Sequence, residues 1–196
     1  MLEARALSLV RGERELFAGL DLTLLAGEVL QIEGENGAGK TSLLRLLAGL
    51  SRHGHEGEVR RLAPLLYVGH LSAVKELLTP RENLAWHVDG LGQYSDDEVC
   101  AALAQVGLCG YEDVPSHQLS AGQHRRVNLA RLHLSRQPLW LLDEPFTAID
   151  RDGVAALEQL FISHARKGGA MILTSHQALG MDYPVRRLVL RSAGEP

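Results

Sequence analysis

Eight consecutive residues, Gly34-Glu35-Asn36-Gly37-Ala38-Gly39-Lys40-Thr41, carry the G-x-x-x-x-G-K-[ST] spacing that suits a polyphosphate. Such an anion is held mainly by backbone N–H groups, which converge on it only where no Cβ obstructs them, and glycine permits that. The residues from Ser42 to Leu50 predict a helix whose unpaired first-turn N–H groups and positive dipole end face the phosphates. Lys40 then reaches the β- and γ-phosphates, and the Thr41 hydroxyl binds Mg²⁺. A Gly-rich turn before a helix would show the same letters by chance. Against that, Val29-Leu30-Gln31-Ile32-Glu33 reads as a strand running into the loop, which is the context this chemistry needs.

A second set of chemical groups lies far downstream. The apolar segment Leu139-Trp140-Leu141-Leu142 ends at Asp143-Glu144-Pro145, a buried strand with two carboxylates at its C-terminal end, where ligands lie in open parallel sheets. Four apolar residues before the pair, and the phosphate loop upstream, favour a site over a solvated strand end. Ala170-Met171-Ile172-Leu173-Thr174 reads as another buried strand, followed at once by Ser175-His176. Leu119-Ser120-Ala121-Gly122-Gln123 precedes a helix rich in Arg and Leu, expected from about Arg125 to Ser135.

The remaining elements must position these groups. Ala4–Val10 and Leu20–Leu25 alternate as strands and form an antiparallel β-subdomain at the entrance. Leu43, Leu44, Leu46, Leu47 and Leu50 give the helix after the loop a wide apolar face for a sheet, with Gly49 near its end. His53-Gly54-His55-Glu56-Gly57 is a polar turn, a better reading of its H-x-H than metal or haem ligation. Gly57–Arg61 and Leu65–Val68 are short strands. Residues 71–118 become helical: Thr79 caps a helix with Pro80 at its first position and Glu82 three residues after the cap, and a second helix begins near Ser95. With the Arg-rich helix this makes a helical subdomain of about 71–135, inserted in one α/β domain of 1–196. A helix with Val154, Leu157, Leu160 and Phe161 on one face, and a last strand at Arg187–Leu190, complete the chain.

A chain of 196 residues, 45% hydrophobic and 22% charged, can bury a substantial core as one domain. Its net charge of -4 argues against a nucleic-acid binder, which needs a basic face. No apolar run approaches the ~20 residues of a membrane span, and the first residues lack a signal-peptide pattern, so the chain is expected in the cytoplasm. Cys100 and Cys109 fit neither a zinc nor a redox motif and are expected as buried or partly buried thiols.

Five motifs in order, the phosphate loop at 34–41, Leu119–Gln123, the carboxylate strand 139–144, Ala148-Ile149-Asp150 and His176, resemble the Walker A, signature, Walker B, D-loop and switch motifs of ABC-type ATPases. Ala121 stands where the first signature glycine is usual, and the resemblance covers nearly the whole chain. Leu-Ser-Ala-Gly-Gln-His-Arg-Arg-Val, Asp-Glu-Pro-Phe-Thr-Ala-Ile-Asp and Tyr67-Val68-Gly69-His70 are most similar to the ATP-binding subunits of cytochrome c biogenesis (Ccm, haem exporter) complexes. The fold implied is a P-loop NTPase α/β core with a mostly parallel sheet, the antiparallel β-subdomain and the small helical insertion.

The resemblance implies ATP and Mg²⁺ as cofactors, with nucleotide held by Gly34, Glu35, Asn36, Gly37, Ala38, Gly39, Lys40, Thr41 and Ser42. Thr41 and Asp143 serve the metal, Glu144 orients or deprotonates the attacking water, and His176 contacts the γ-phosphate, with Lys40 completing the catalytic set. His70 stands where the family has a Gln that contacts Mg²⁺ or water and couples to the membrane subunit; an imidazole can accept or donate a hydrogen bond. Arg11 stands where an aromatic ring usually stacks on adenine, and a guanidinium plane can also stack. Ser120, Ala121, Gly122 and Gln123 would close on ATP held by a second copy in a head-to-tail sandwich, with Asp150 communicating across it. The implied setting is the cytoplasmic face of a bacterial inner membrane. There the chain would be peripheral, with CcmB-like and CcmC-like membrane subunits docked on residues 71–110 and no nucleic acid. The function implied is ATP hydrolysis coupled to haem delivery or haem-chaperone release. Another ABC exporter's ATPase, a soluble ABC ATPase of DNA repair or translation, and a module with nucleotide as a mere structural ligand are the alternatives.

Overall fold

The computed structural model describes residues 1–12, 14–51, 54–87, 94–176 and 178–190. In chain order the elements are β1 (Leu2–Arg11), β2 (Arg14–Leu24), β3 (Val29–Glu33), α1 (Lys40–Leu47), β4 (His55–Arg61), β5 (Leu65–Val68), α2 (Pro80–His87), α3 (Asp96–Gln105), α4 (Ala121–Leu134), β6 (Leu139–Leu142), α5 (Arg151–Arg166), β7 (Ala170–Thr174) and β8 (Val185–Val189). His53 of the H-x-H turn, and residues 88–93 of the expected docking segment, lie outside the described residues.

The chain divides into two compact units. The first comprises 1–70, 137–145 and 155–196 and holds two sheets. One is the expected antiparallel subdomain, in the order β2-β1-β4. The other, β5-β6-β7-β3-β8, has every neighbouring pair parallel. A parallel sheet of this kind is covered on both faces, which is why β6 and β7 are buried at every position. Leu43, Leu44, Leu46 and Leu47 of α1 share one core with Leu2, Leu7 and Leu24 of the antiparallel sheet and with Leu139, Leu141 and Ile172 of the parallel one.

Several boundaries differ from expectation. β2 starts at Arg14, six residues before the alternation becomes regular, because its pairing with β1 is interrupted by bulges between Ala4 and Leu7 and between Leu7 and Leu9. A bulge inserts an unpaired residue and destroys the period of two. Side chains fill the gap: Asp21 Oδ1 accepts from the Ala6 N–H at 2.8 Å, and Ser8 Oγ from the Gly19 N–H at 2.9 Å. α1 stops at Leu47, short of Leu50. Leu50 N–H bonds Arg45 O at 2.8 Å and Gly49 N–H bonds Leu46 O at 2.9 Å, the paired closure that a glycine at positive φ permits. The last strand starts two residues and ends one residue earlier than expected, at Val185–Val189.

The second unit, 71–136 with 146–154, packs α2, α3 and α4 around Leu84, Val99, Leu103, Leu108, Val127 and Ala130. Thr79 and Glu82 form the expected reciprocal cap, and Ser95 with Glu98 forms another. Buried Asn83 pins the loop before α2: its Oδ1 accepts from the Lys75 N–H at 2.7 Å and its amide donates to Lys75 O and Thr79 O at 3.1 and 3.0 Å. Cys100 is half-buried and takes a 3.3 Å bond from Arg81 Nη1. Cys109 is exposed, contrary to expectation, because it lies in the turn between α3 and α4 and not on a packed helix face.

In the first unit His164 stacks on Trp140, ring centroids 3.6 Å apart, with Nε2 at 3.2 Å from Pro138 O. Burial holds its pKa below the ordinary 6.5, and burial does the same to His133. As pH falls below about 6.5 the unfolded chain takes up these protons first, so their contribution to stability is full above that value and is lost through the lower folded value. The melting temperature of the chain is expected to drop more steeply from pH 7 to pH 5 than that of a His164→Phe variant, which keeps the stack without the titration. Parallel pH profiles of the two by calorimetry would contradict this.

Candidate functional site

Because the strands of the larger sheet are parallel, their C-terminal ends share one edge, and the loops leaving β3, β5, β6 and β7 carry the chemistry there. Gly34, the first residue after β3, has φ 148°, and a Cβ on it would lie 2.6 Å from Leu190 O. Only glycine lets the chain pass so close to β8's end. At the far end of the loop Gly39 caps α1 in the left-handed region with no side-chain bond, leaving the helix's first N–H groups directed at the loop. Lys40 is 8% exposed, and its ammonium donates to Gly34 O at 2.7 Å and Glu35 O at 3.0 Å. The loop therefore wraps its own cation.

A cleft of about 500 Å³ opens over this loop, lined by Glu35, Asn36, Gly37, Gly39, Lys40, Thr41 and Ser42 with Arg11, Arg14, Leu16, His70, Glu144 and His176. The structure thus brings together most residues singled out in the sequence. Asp143 lies beneath, 1% exposed: its Oδ1 accepts from Thr41 Oγ1 at 3.1 Å and from Thr174 Oγ1 at 2.8 Å. Thr174 also accepts the Glu144 N–H at 2.9 Å, so one hydroxyl ties β7 to both carboxylate residues. Glu144 sits at φ 48°, a region costly for a residue with a Cβ, and its Oε1 is 3.4 Å from His176 Nε2. Backbone strain of this kind clusters where a side chain must be aimed. Burial first, then the Asp143 carboxylate, push the Tyr67 phenol up to about 12, so it stays protonated beside the acid.

The donors present suit a small hard cation. Thr41 and Asp143 offer oxygens side by side at the loop, and among the described residues no group of three or more His, Cys, Asp and Glu forms a metal cage. Mg²⁺ is bound in just this way, by one or two protein oxygens with the rest supplied by water and phosphates.

The segment Ser120–Gln123 belongs to the other unit and is not among the residues lining the cleft. It starts α4 four residues earlier than expected, because Ser120 Oγ accepts the Gln123 N–H at 3.2 Å and Gln123 Oε1 accepts the Ser120 N–H at 2.8 Å. Ala148, at φ 60°, places its carbonyl against Gly122, and Asp150 accepts from Gly153 N–H at 2.8 Å and from Arg126 Nη2 at 2.5 Å. The Gly153 bond chiefly, with the Arg126 pair, holds the Asp150 carboxyl below its ordinary range. Arg126 also donates to Val106 O at 2.9 Å, so one side chain joins α4, the end of α3 and the segment after β6.

Sequence reasoning missed Thr174, Arg14 and Arg126. Thr174 is signalled by a hydroxyl ending an apolar strand, but its role depends on β6 and β7 being neighbours. Arg14 and Arg126 belong to no motif of fixed spacing.

Residues 17–147 match the ABC transporter family. Curated relatives, each described as a cytochrome c biogenesis ATP-binding export protein CcmA, include one from Yersinia pestis bv. Antiqua (strain Nepal516), 49% identical over 100% of this chain and 95% of the relative. One from Escherichia coli (strain UTI89 / UPEC) is 50% identical over 99% and 98%. One from Pseudomonas savastanoi pv. phaseolicola is 52% identical over 91% and 89%. Among solved structures, an ATP-binding subunit of an ABC transporter superposes with a TM-score of 0.84 at 22% identity, covering 97% of this chain and 86% of that one. A dimeric bacterial ABC transporter cassette gives 0.83 at 22% identity, covering 96% and 94%.

Proposed function

Since the chain belongs to the ABC transporter family of ATP-binding proteins, we propose that it is the ATP-hydrolysing subunit of a cytochrome c biogenesis export complex. The observation that carries the hydrolytic part is the convergence of Lys40, Thr41, Asp143, Glu144 and His176 on one phosphate-binding edge. The biogenesis part rests on identity near one half to relatives of that description over almost the entire chain.

Phosphoryl transfer requires positioning and charge stabilisation more than covalent chemistry. In this reading the loop's N–H groups and Lys40 hold the polyphosphate. Thr41 and Asp143 would hold Mg²⁺, which would supply neutralising charge at the phosphates. Glu144, aimed by its strained backbone and the Thr174 bond, takes the proton of the attacking water, and His176 at 3.4 Å from it steadies the carboxylate and the γ-phosphate. His70 and Arg11 both wall the cleft, and in this reading they take the parts of the family's coupling Gln and base-stacking residue. The start of α4, with Ser120 and the N–H groups of Ala121 and Gly122, is the anion-binding end that closes on ATP held by a second copy. Arg126 and Asp150 keep the connecting segment in step with that helix end.

No helix among the described residues is long and apolar enough to cross a membrane. In this reading CcmB-like and CcmC-like subunits supply the membrane path. Leu71 and Leu77, 82% and 92% exposed, with half-exposed Trp86, put apolar surface on the helical unit and support docking of a membrane subunit within 71–110. The chain would then work at the cytoplasmic face of a bacterial inner membrane. Affinity purification from solubilised membranes is expected to recover it with integral membrane proteins encoded beside it, and with ATPase activity. Recovery with ribosomes or DNA ends would overturn the assignment.

A further inference from the structure

Resting on the nucleotide-binding reading, we propose that Arg14 is a second cationic grip on the triphosphate, so that the chain holds nucleotides mainly by their phosphates. Arg11 ends β1 and Arg14 begins β2, paired with each other in the hairpin register. Both are exposed and both line the cleft over the phosphate loop. Arg14 Nη1 lies 3.8 Å from where a Cβ on Gly37 would stand, which sets the guanidinium against the crown of the loop. Lys40 enters the same loop from inside, bonded to its first carbonyls. A polyphosphate seated on the loop therefore lies within reach of one buried ammonium and one surface guanidinium, whose planar fork matches phosphate oxygens.

Charge balance favours the same assignment. The cleft wall carries the cations Arg11, Arg14 and Lys40 against the carboxylates Glu35 and Glu144, with Asp143 beneath. With Arg14 the three cations match the three carboxylates; without it the site would present net negative charge to an anion of several charges. Arg11 faces a different task. With Thr41 and Ser42 it also lines a second cleft of about 340 Å³, walled by Leu9, Val10, Arg45 and Ser51. In the proposed division Arg14 takes the phosphates at Gly37, and Arg11, which the sequence resemblance puts at the base-stacking position, takes the base side.

Isothermal titration of the full chain in EDTA, with ATP and with inorganic tripolyphosphate, separates these contributions. Arg14→Ala is expected to weaken both ligands by a similar factor, about tenfold or more as for a lost hydrogen bond to a charged group. Arg14→Lys should recover part of the loss. Arg11→Ala should weaken ATP while leaving tripolyphosphate within about twofold, the expectation for a residue on the base side. If Arg14→Ala weakens ATP alone, the residue serves the sugar or base; if it changes neither ligand, the guanidinium makes no contact with the phosphates. Either result overturns the proposal. A wild-type chain that binds neither ligand, or a Lys40→Ala variant that binds both unchanged, overturns the nucleotide reading on which the proposal rests.

Discussion

A Glu144→Gln chain is expected to bind ATP as tightly as wild type while losing about 10²- to 10⁴-fold in turnover, the range for a positioned general base. The substitution keeps the shape of the side chain. It also keeps the backbone bond to Thr174 Oγ1 at 2.9 Å and the φ of 48°, since neither depends on the carboxylate. Thr41, Asp143 and Lys40 are untouched, so the phosphate grip survives. What is lost, in the proposed mechanism, is the proton acceptor, the carboxylate 3.4 Å from His176 Nε2. An amide there cannot take a proton from water, so ATP persists and the ATP-bound dimer should accumulate. Steady-state hydrolysis, read beside size-exclusion chromatography with ATP, decides the matter. Turnover near the wild-type rate would remove Glu144 from the catalytic role.

The same neighbourhood indicates what a sequence can disclose. Gly34 to Thr41 and Asp143-Glu144 were legible because their spacing is local: a loop must turn within eight residues, and a buried strand must be continuously apolar up to its polar end. The bridging role of Thr174 was not legible, since it depends on β6 and β7 lying side by side with Leu142 paired to Leu173. β2 was half hidden for a related reason. The bulges opposite Ala6 and Ser8 break the alternation that announces a strand, and the side-chain bonds that replace the ladder join residues 15 and 11 positions apart. The start of α4 is hard to place from sequence because Ser120 and Gln123 belong to the signature motif, and their spacing of three is also that of a helix cap. Arg126 shows the limit most plainly. No local pattern relates it to Asp150, 24 positions away, yet the 2.5 Å pair ties the signature helix to the segment that follows the carboxylates.

Ser120→Arg tests whether the site needs a second copy. In the monomer Ser120 contributes a cap to α4, and its loss costs about 1 kcal/mol of stability, a cost visible in melting. It is not among the residues lining the phosphate cleft, so the ATP affinity of the variant is expected to stay within about threefold of wild type, under 1 kcal/mol of binding free energy. Hydrolysis should nonetheless collapse, because in the proposed head-to-tail pair the arginine occupies the helix end that closes on the partner's phosphates. Mixing separates this from simple damage. In a head-to-tail pair of one Ser120→Arg chain and one Glu144→Gln chain, the first supplies an intact phosphate loop and Glu144, the second an intact Ser120, and one complete site results. The other site carries both lesions. If chains pair at random, half of the dimers are mixed and each holds one of two sites, so an equal mixture of two nearly inactive proteins should regain about a quarter of wild-type hydrolysis. Activity equal to the sum of the separate variants would mean that each chain hydrolyses ATP alone, and loss of ATP affinity by Ser120→Arg would mean that the signature serves its own chain's loop.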